Sequence, residues 1–120
     1  MRSRELGRSG VAISRIGLGG IEVGPNPGEE PDVDRAIAVL EVSLEAGVNW
    51  IDTSENYLET RNESLIGEAL GTISGELLVA TKVAPGAAGS AHAIKSVRAR
   101  LDSARQKPAL IFMIIVQIIL

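Results

Sequence analysis

Cysteine is absent from this chain of 120 residues, which also has a single histidine, His92, one tryptophan, one tyrosine and one phenylalanine. Without cysteine there can be no disulfide, no thiol nucleophile and no thiolate ligand for a metal. A single histidine excludes a multi-histidine zinc site, and no metal site is expected. The net charge of −3 disfavours nucleic acids and anionic membranes as partners.

Charged residues end at Lys107, and the segment 109–120 is apolar except for Gln117. A helix needs about 20 apolar residues to span a bilayer, so this segment is too short to do so. Its β-branched residues favour a strand instead. No apolar stretch follows the basic N-terminal residues, so we expect no secretory signal and a cytoplasmic location. The composition, 45% hydrophobic and 22% charged, is typical of one small folded domain.

Strand-like and helix-like segments alternate along the chain. The predicted elements are a hairpin at 4–13, strands at 16–20, 48–52, 77–82 and 109–120, and helices from Pro31 or Asp32 to Gly47, at 62–70 and at 90–104. This order implies a parallel sheet with right-handed crossovers. Two folds fit it, an open doubly wound sheet and the first half of a (β/α)₈ barrel.

The glycine-rich turn at 17–20, Gly-Leu-Gly-Gly, invites a comparison with dinucleotide-binding loops. A G-x-G-x-x-G motif that starts at Gly17 would need glycine where the chain has Glu22. The turn also leads into a loop rich in proline and glycine rather than into a helix. The sequence therefore disfavours a Rossmann phosphate loop.

Two predicted strands end at charged residues of opposite sign. Asp52 ends one strand, Tyr57 follows in the next loop, and Lys82 ends the neighbouring strand. Parallel strands lie about 4.8 Å apart, so these side chains can meet at one edge of the sheet. A cation favours the phenolate form of a tyrosine, which makes the phenol a better proton donor. A structural interpretation stays open, in which Asp52 caps a loop, Tyr57 covers the core and Lys82 is solvated.

Residues 48–57, Val-Asn-Trp-Ile-Asp-Thr-Ser-Glu-Asn-Tyr, resemble the aldo-keto reductase signature Gly-x-Asn-x-(Ile/Phe)-Asp-Thr-Ala-x-x-Tyr. Gly47 supplies the first glycine, and Ser54 replaces the usual alanine. Three further stretches resemble the family in the same order: Ile-Gly-Leu-Gly-Gly at 16–20, Asn-Glu-Ser-Leu-Ile-Gly-Glu-Ala-Leu at 62–70 and Val-Ala-Thr-Lys-Val at 79–83. Four ordered matches over residues 4–105 make the resemblance specific.

The resemblance implies the N-terminal half of a (β/α)₈ TIM barrel with an N-terminal β-hairpin over its base. It also implies NADP-dependent reduction of small aldehydes or ketones to alcohols, with NADP(H) as cofactor. Tyr57 would then donate a proton to the carbonyl oxygen with the help of Lys82. Asp52 would pair with Lys82 and lie near the nicotinamide ribose. Gly20 and Ile21 match positions at which the family's first loop contacts the cofactor, here mainly through the backbone.

The chain departs from the family at the fourth strand, where the catalytic histidine has no counterpart. Ile114 falls at that position, within one residue. A TIM barrel needs about 250 residues, so residues 1–120 are expected to form an incomplete domain that is truncated after about the fourth strand. The alternative is a non-catalytic remnant, or a cofactor-sensing or interaction subunit, since potassium-channel beta subunits also lack the histidine.

The segment 109–120 forms a divergent apolar tail. Four parallel strands cannot close a barrel, so the first and fourth strands are expected to leave open edges. The tail has no charge, has no proline and is rich in isoleucine, a composition typical of cross-β association. We therefore expect self-association through this segment.

Overall fold

The computed structural model describes residues 1–26, 28–82 and 112–115. Its strands are β1 (Ser3–Glu5), β2 (Ala12–Ser14), β3 (Leu18–Gly19), β4 (Trp50–Asp52), β5 (Leu78–Lys82) and β6 (Phe112–Ile115), and its α-helices are α1 (Val33–Glu45) and α2 (Asn62–Thr72). Short 3₁₀ turns cover Gly20–Val23 and Tyr57–Thr60. The helix predicted at 90–104 and His92 lie outside the described residues.

The strands form two sheets whose pairing follows the chain. β1 and β2 pair antiparallel, which confirms the predicted hairpin. β3, β4, β5 and β6 pair parallel in that order. α1 connects β3 to β4 and α2 connects β4 to β5, as the alternating pattern predicts. A doubly wound sheet would reverse its strand order beside the first strand, so this sequential order favours the barrel-type arrangement.

Both ends of α1 follow from local sequence. The Asp32 carboxylate accepts hydrogen bonds from the backbone N–H groups of Asp34 and Arg35, which caps the helix. At the other end Gly47 has φ +83°, a conformation that glycine adopts without steric cost. The Val48 N–H donates to the Ser43 carbonyl at 2.9 Å, closing the turn. Of the two predicted starts, the cap at Asp32 is confirmed and a first helical position at Pro31 is wrong, and the predicted stop at Gly47 is confirmed.

The hydrophobic core lies between the parallel sheet and the two helices. α1 contributes Ala36 and Leu40, α2 contributes Leu65, Ile66, Ala69 and Leu70, and the sheet contributes Ile51 and Val79. Ile51 and Ile66 have no solvent exposure. Burial of these apolar surfaces contributes about 25 cal/mol per Å² and fixes both helices on one face of the sheet. Among the residues placed by the structure, no helix has the length and apolarity that crossing a membrane requires.

The hairpin is attached to the amino end of β4. Asn49 accepts from the Ser14 N–H at 2.8 Å and donates through Nδ2 to the Ala12 carbonyl at 2.9 Å. The Trp50 indole N–H donates to the Ser14 carbonyl at 3.0 Å. A methyl group at Gly17 would overlap the Trp50 ring, so glycine is required there. The hairpin thus covers the amino end of β4, and the opposite end carries Asp52.

Helix α2 differs from its predicted boundaries. It continues through Gly71 to Thr72, so the predicted stop at Gly71 is wrong. The helix ends because Ile73 takes an extended conformation, with φ −73° and ψ 151°. Gly71 has helical rather than left-handed backbone, and the fold tolerates it inside α2 despite its low helix propensity.

Two glycine-to-alanine substitutions are expected to have opposite effects on stability. At Gly71 a methyl group would meet no described atom within 4 Å, so Gly71→Ala should stabilise the fold by about 0.5–1 kcal/mol. At Gly20 it would lie 2.9 Å from the Asp52 carbonyl oxygen, so Gly20→Ala should destabilise by about 1–3 kcal/mol. Urea denaturation followed by the fluorescence of Trp50 measures both. Equal effects of the two substitutions would contradict the packing around Gly20.

Candidate active site

The carboxyl ends of β4 and β5 bring two charged side chains together. Asp52 pairs with Gly19 of β3 on one side and with Ala80 of β5 on the other. Lys82 lies two residues beyond Ala80, so the alternation of a strand places both on the same face. Lys82 is therefore the diagonal neighbour of Asp52 across the two strands, and its long side chain can return to the carboxylate.

Lys82 forms an ion pair with Asp52. The Lys82 ammonium nitrogen Nζ lies 2.6 Å from Asp52 Oδ2 and donates a second hydrogen bond, of 2.9 Å, to the Thr53 carbonyl. The Lys82 side chain is 22% exposed and that of Asp52 34% exposed, so the pair is partly shielded from water. Two fixed acceptors leave the third ammonium N–H free to face the neighbouring ring.

Tyr57 provides that ring. The Lys82 ammonium lies 5.2 Å from the centroid of the Tyr57 ring, within the range of a cation–π contact. Tyr57 begins a 3₁₀ turn, and its N–H donates to the Ser54 carbonyl at 3.1 Å. The next two residues, Leu58 and Glu59, both have φ +52°, a left-handed conformation that is costly for side chains other than glycine. Because the Lys82 ammonium contacts both the Asp52 carboxylate and the Tyr57 ring, the three residues form one cluster.

Gly20 and Ile21 lie at the same edge, immediately after β3. Gly20 is buried against the backbone of Asp52 and the side chain of Thr53. Ile21 is 60% exposed in the 3₁₀ turn that follows β3. The loop after β3 thus places the Gly20 backbone beside Asp52 and leaves the Ile21 side chain exposed.

Among the described residues, the buried polar side chains that hydrogen-bond to one another beside the ion pair escaped the sequence-based prediction of the site. They are Thr53, Asn62, Glu63 and Thr81. In the sequence, Asn62 and Glu63 belong to the stretch 62–70 that resembles the family, and nothing else marks them. The sequence pattern that could have indicated them is a pair of polar residues at the start of a helix whose other residues are mostly buried and apolar. Sequence alone did not indicate which loops and strands the start of α2 would contact.

The register of β6 places isoleucine beside this cluster. Ile114 pairs with Thr81, and Ile115 pairs with Lys82. None of the four residues of β6 is a histidine, so this strand brings no imidazole to the edge at 112–115. In the parts of the chain that the structure places, no three acidic or histidine side chains group as a metal site would require.

Comparison with known proteins assigns the chain to a family. The sequence pattern described as "Aldo/keto reductase family" matches residues 15–110. The chain belongs to the aldo/keto reductase family. This confirms the resemblance seen in the sequence and identifies the chain as a member of a family of NAD(P)H-dependent oxidoreductases.

Two curated relatives illustrate the match. The "uncharacterized oxidoreductase YqkF" of Bacillus subtilis is 34% identical over 82 residues, which cover 68% of this chain and 25% of that protein. The "NADH-specific methylglyoxal reductase" of Escherichia coli is 35% identical over 82 residues, covering 66% of this chain and 25% of that protein. The chain therefore spans about a quarter of the length of these relatives.

A solved structure supports the same fold. The aldo-keto reductase from Klebsiella pneumoniae in complex with NADPH superposes with a TM-score of 0.59 at 28% sequence identity. The superposition covers 76% of this chain and 32% of that enzyme. The chain thus has the α/β fold of aldo-keto reductases over most of its length.

Proposed function

We propose that the chain carries the proton-donor side of an NADP-linked carbonyl reductase, which reduces aldehydes or ketones to alcohols. The observation that supports this most directly is the Lys82 ammonium, 2.6 Å from Asp52 Oδ2 and 5.2 Å from the Tyr57 ring centroid. In aldo-keto barrels, as in TIM barrels generally, chemistry is built at the carboxyl ends of the strands. The cluster lies at that edge of the sheet.

Each residue of the cluster has a distinct proposed role. Tyr57 donates a proton to the carbonyl oxygen of the substrate, and its phenol is reprotonated from water after the reaction. The Lys82 charge stabilises the phenolate that remains after donation. Asp52 pairs with the Lys82 ammonium and holds it toward the ring. When bound, NADPH supplies the hydride that the carbonyl carbon accepts.

The residues present fit a nicotinamide cofactor at one point. Asp52 Oδ1 is buried and has no hydrogen-bond partner among the placed residues, while Oδ2 is paired with Lys82. A buried carboxylate oxygen without a partner is costly, and a ribose hydroxyl is a suitable donor for it. Gly20 and Ile21 would border the cofactor on the side of β3. The Klebsiella structure contains NADPH and the Escherichia coli relative is named for NADH, and we propose NADP(H) for this chain.

We also propose how the chain fits the complete fold. Residues 1–120 correspond to the hairpin and about the first four strands of the (β/α)₈ barrel, with 109–120 as a divergent apolar end. The match to about a quarter of each curated relative is compatible with this assignment. Self-association through 109–120 and a cytoplasmic location stay predictions.

The activity is tested in a protein that joins this chain to the remaining strands of an aldo-keto reductase barrel, incubated with NADPH or NADH and a panel of aldehydes and ketones. We expect the nicotinamide absorbance to fall only when a carbonyl compound is present, and chromatography to detect the corresponding alcohol. A faster reaction with NADPH than with NADH would support the cofactor assignment. Cofactor binding without turnover of any carbonyl compound would contradict the reductase activity and support the cofactor-sensing alternative.

A further inference from the structure

Four polar side chains lie buried behind the Asp52–Lys82 pair, and the proposed chemistry does not use them. Thr53 and Thr81 have no solvent exposure, and Asn62 and Glu63 are 1% and 3% exposed. A buried polar group costs free energy unless it is hydrogen-bonded. The hydrogen bonds that these four residues make therefore show which parts of the fold they hold together.

Asn62 connects two loops of the site. The Thr53 hydroxyl donates to Asn62 Oδ1 at 2.6 Å, and Asn62 Nδ2 donates to the Gly20 carbonyl at 3.0 Å. The Thr53 backbone is also held from the sheet, since its N–H donates to the Ala80 carbonyl at 2.7 Å. The Thr53 carbonyl is the second acceptor of the Lys82 ammonium. Asn62 thus holds the residue whose carbonyl binds the lysine.

Glu63 holds the strand that carries the lysine. The Thr81 hydroxyl donates to Glu63 Oε1 at 2.6 Å, within the buried layer between α2 and β5. Thr81 directly precedes Lys82, and strand alternation directs the two side chains to opposite faces. The bond therefore attaches the α2-facing side of β5 to the helix. The Lys82 side chain leaves the next residue on the opposite face of the strand.

We propose that Asn62 and Glu63, adjacent at the start of α2, are positioning residues that set the location of the Lys82 ammonium. Asn62 acts through Thr53, whose carbonyl accepts a hydrogen bond from the Lys82 ammonium. Glu63 acts through Thr81, the residue that precedes Lys82 in β5. Buried hydrogen bonds are strengthened by the low local dielectric and restrict the side chains to one arrangement. This inference rests on the proposed function, because it concerns the same lysine.

The reactivity of the lysine amine tests the proposal without cofactor or substrate. The full chain is treated briefly with acetic anhydride, and peptide mass spectrometry compares the acetylation of Lys82 with that of Lys95 and Lys107. Thr53→Val and Thr81→Val each remove one hydroxyl without changing the size of the side chain much. We expect each to raise the relative labelling of Lys82 by about fivefold, the factor that the net free energy of one hydrogen bond sets.

Matched variants separate the loss of a specific hydrogen bond that positions Lys82 from a general loss of packing around β5. Thr53→Ser and Thr81→Ser keep the hydroxyl and should leave Lys82 labelling near that of the parent chain. Val79→Ala removes buried apolar volume from the same strand without breaking a hydrogen bond, and should not raise it. The fluorescence of Trp50 confirms that each variant is folded. If Thr53→Val does not fold, Thr81→Val still provides the measurement, and the reverse also holds.

Two outcomes would overturn the proposal. One is unchanged Lys82 labelling in a folded valine variant, and the other is an equal rise in Val79→Ala. In preparations that turn over a carbonyl compound, we expect Thr81→Val to lower kcat while the KM for NADPH stays near the parent value. Full turnover in Tyr57→Phe combined with the expected labelling would refute the proposed reductase mechanism but leave the positioning of Lys82 supported.

Discussion

In a complete reductase barrel that contains this chain, Tyr57→Phe is expected to lower kcat for carbonyl reduction by about 10²–10⁴-fold, the usual loss when a positioned general acid is removed. The substitution deletes only the phenol oxygen. The ring that lies 5.2 Å from the Lys82 ammonium is kept, so the packing of the turn at Tyr57–Thr60 should persist. Cofactor binding should be nearly unchanged, because Asp52, Gly20 and Ile21 are untouched.

The measurement for Tyr57 compares kcat, the dissociation constant for NADPH and the denaturation midpoint of the variant and the parent. Glu59→Gln is a suitable control, since Glu59 lies in the same turn and its side chain is 90% exposed. We expect Glu59→Gln to keep the parent kcat. A Tyr57→Phe variant that also keeps it would show that another group donates the proton.

Lys82→Met is expected to reduce turnover to a similar extent and also to destabilise the fold. Methionine cannot donate the bonds to Asp52 Oδ2 and to the Thr53 carbonyl. The Asp52 carboxylate would then have both oxygens without a protein donor. Because its side chain is 34% exposed, water can hydrate it in part, and we expect a loss of about 1–2 kcal/mol.

Arg61→Met provides the comparison for the loss of stability at Lys82. Arg61 pairs with Glu30 at 3.3 Å, but its side chain is 49% exposed and that of Glu30 90% exposed. Exposed ion pairs contribute little, so we expect a change within about 0.5 kcal/mol. Urea denaturation of both variants, at low and at high salt, gives the two values. Equal destabilisation by the two substitutions would contradict a special role for the Asp52–Lys82 pair.

The parts of the fold that the sequence predicts correctly depend on local chemistry. Asp32 and Gly47 mark the ends of α1 because a cap and a left-handed stop act on the backbone within a few residues. The alternation of strands and helices predicts a parallel sheet, because parallel strands need a crossover connection. The signature around Asp52 and Tyr57 identifies the family, which the comparison over residues 15–110 confirms.

Other features depend on contacts that no local pattern encodes. α2 passes through Gly71 because tertiary packing outweighs the weak helix propensity of one glycine. Leu58 and Glu59 adopt left-handed backbone although neither is a residue that favours it, so the surrounding structure must impose this conformation. Sequence-based reasoning places a plain loop there.

By itself the sequence determined the order of the elements, the family, and that Asp52 and Lys82 end neighbouring strands. Tertiary structure alone decided that Ile115 pairs with Lys82, that Asn62 bonds the loops after β3 and β4, and that Glu63 bonds β5. The physical reason is the distance along the chain over which these interactions form. Caps and turns join near neighbours, whereas strand register and buried hydrogen bonds join distant residues and are set only when helix and sheet pack together.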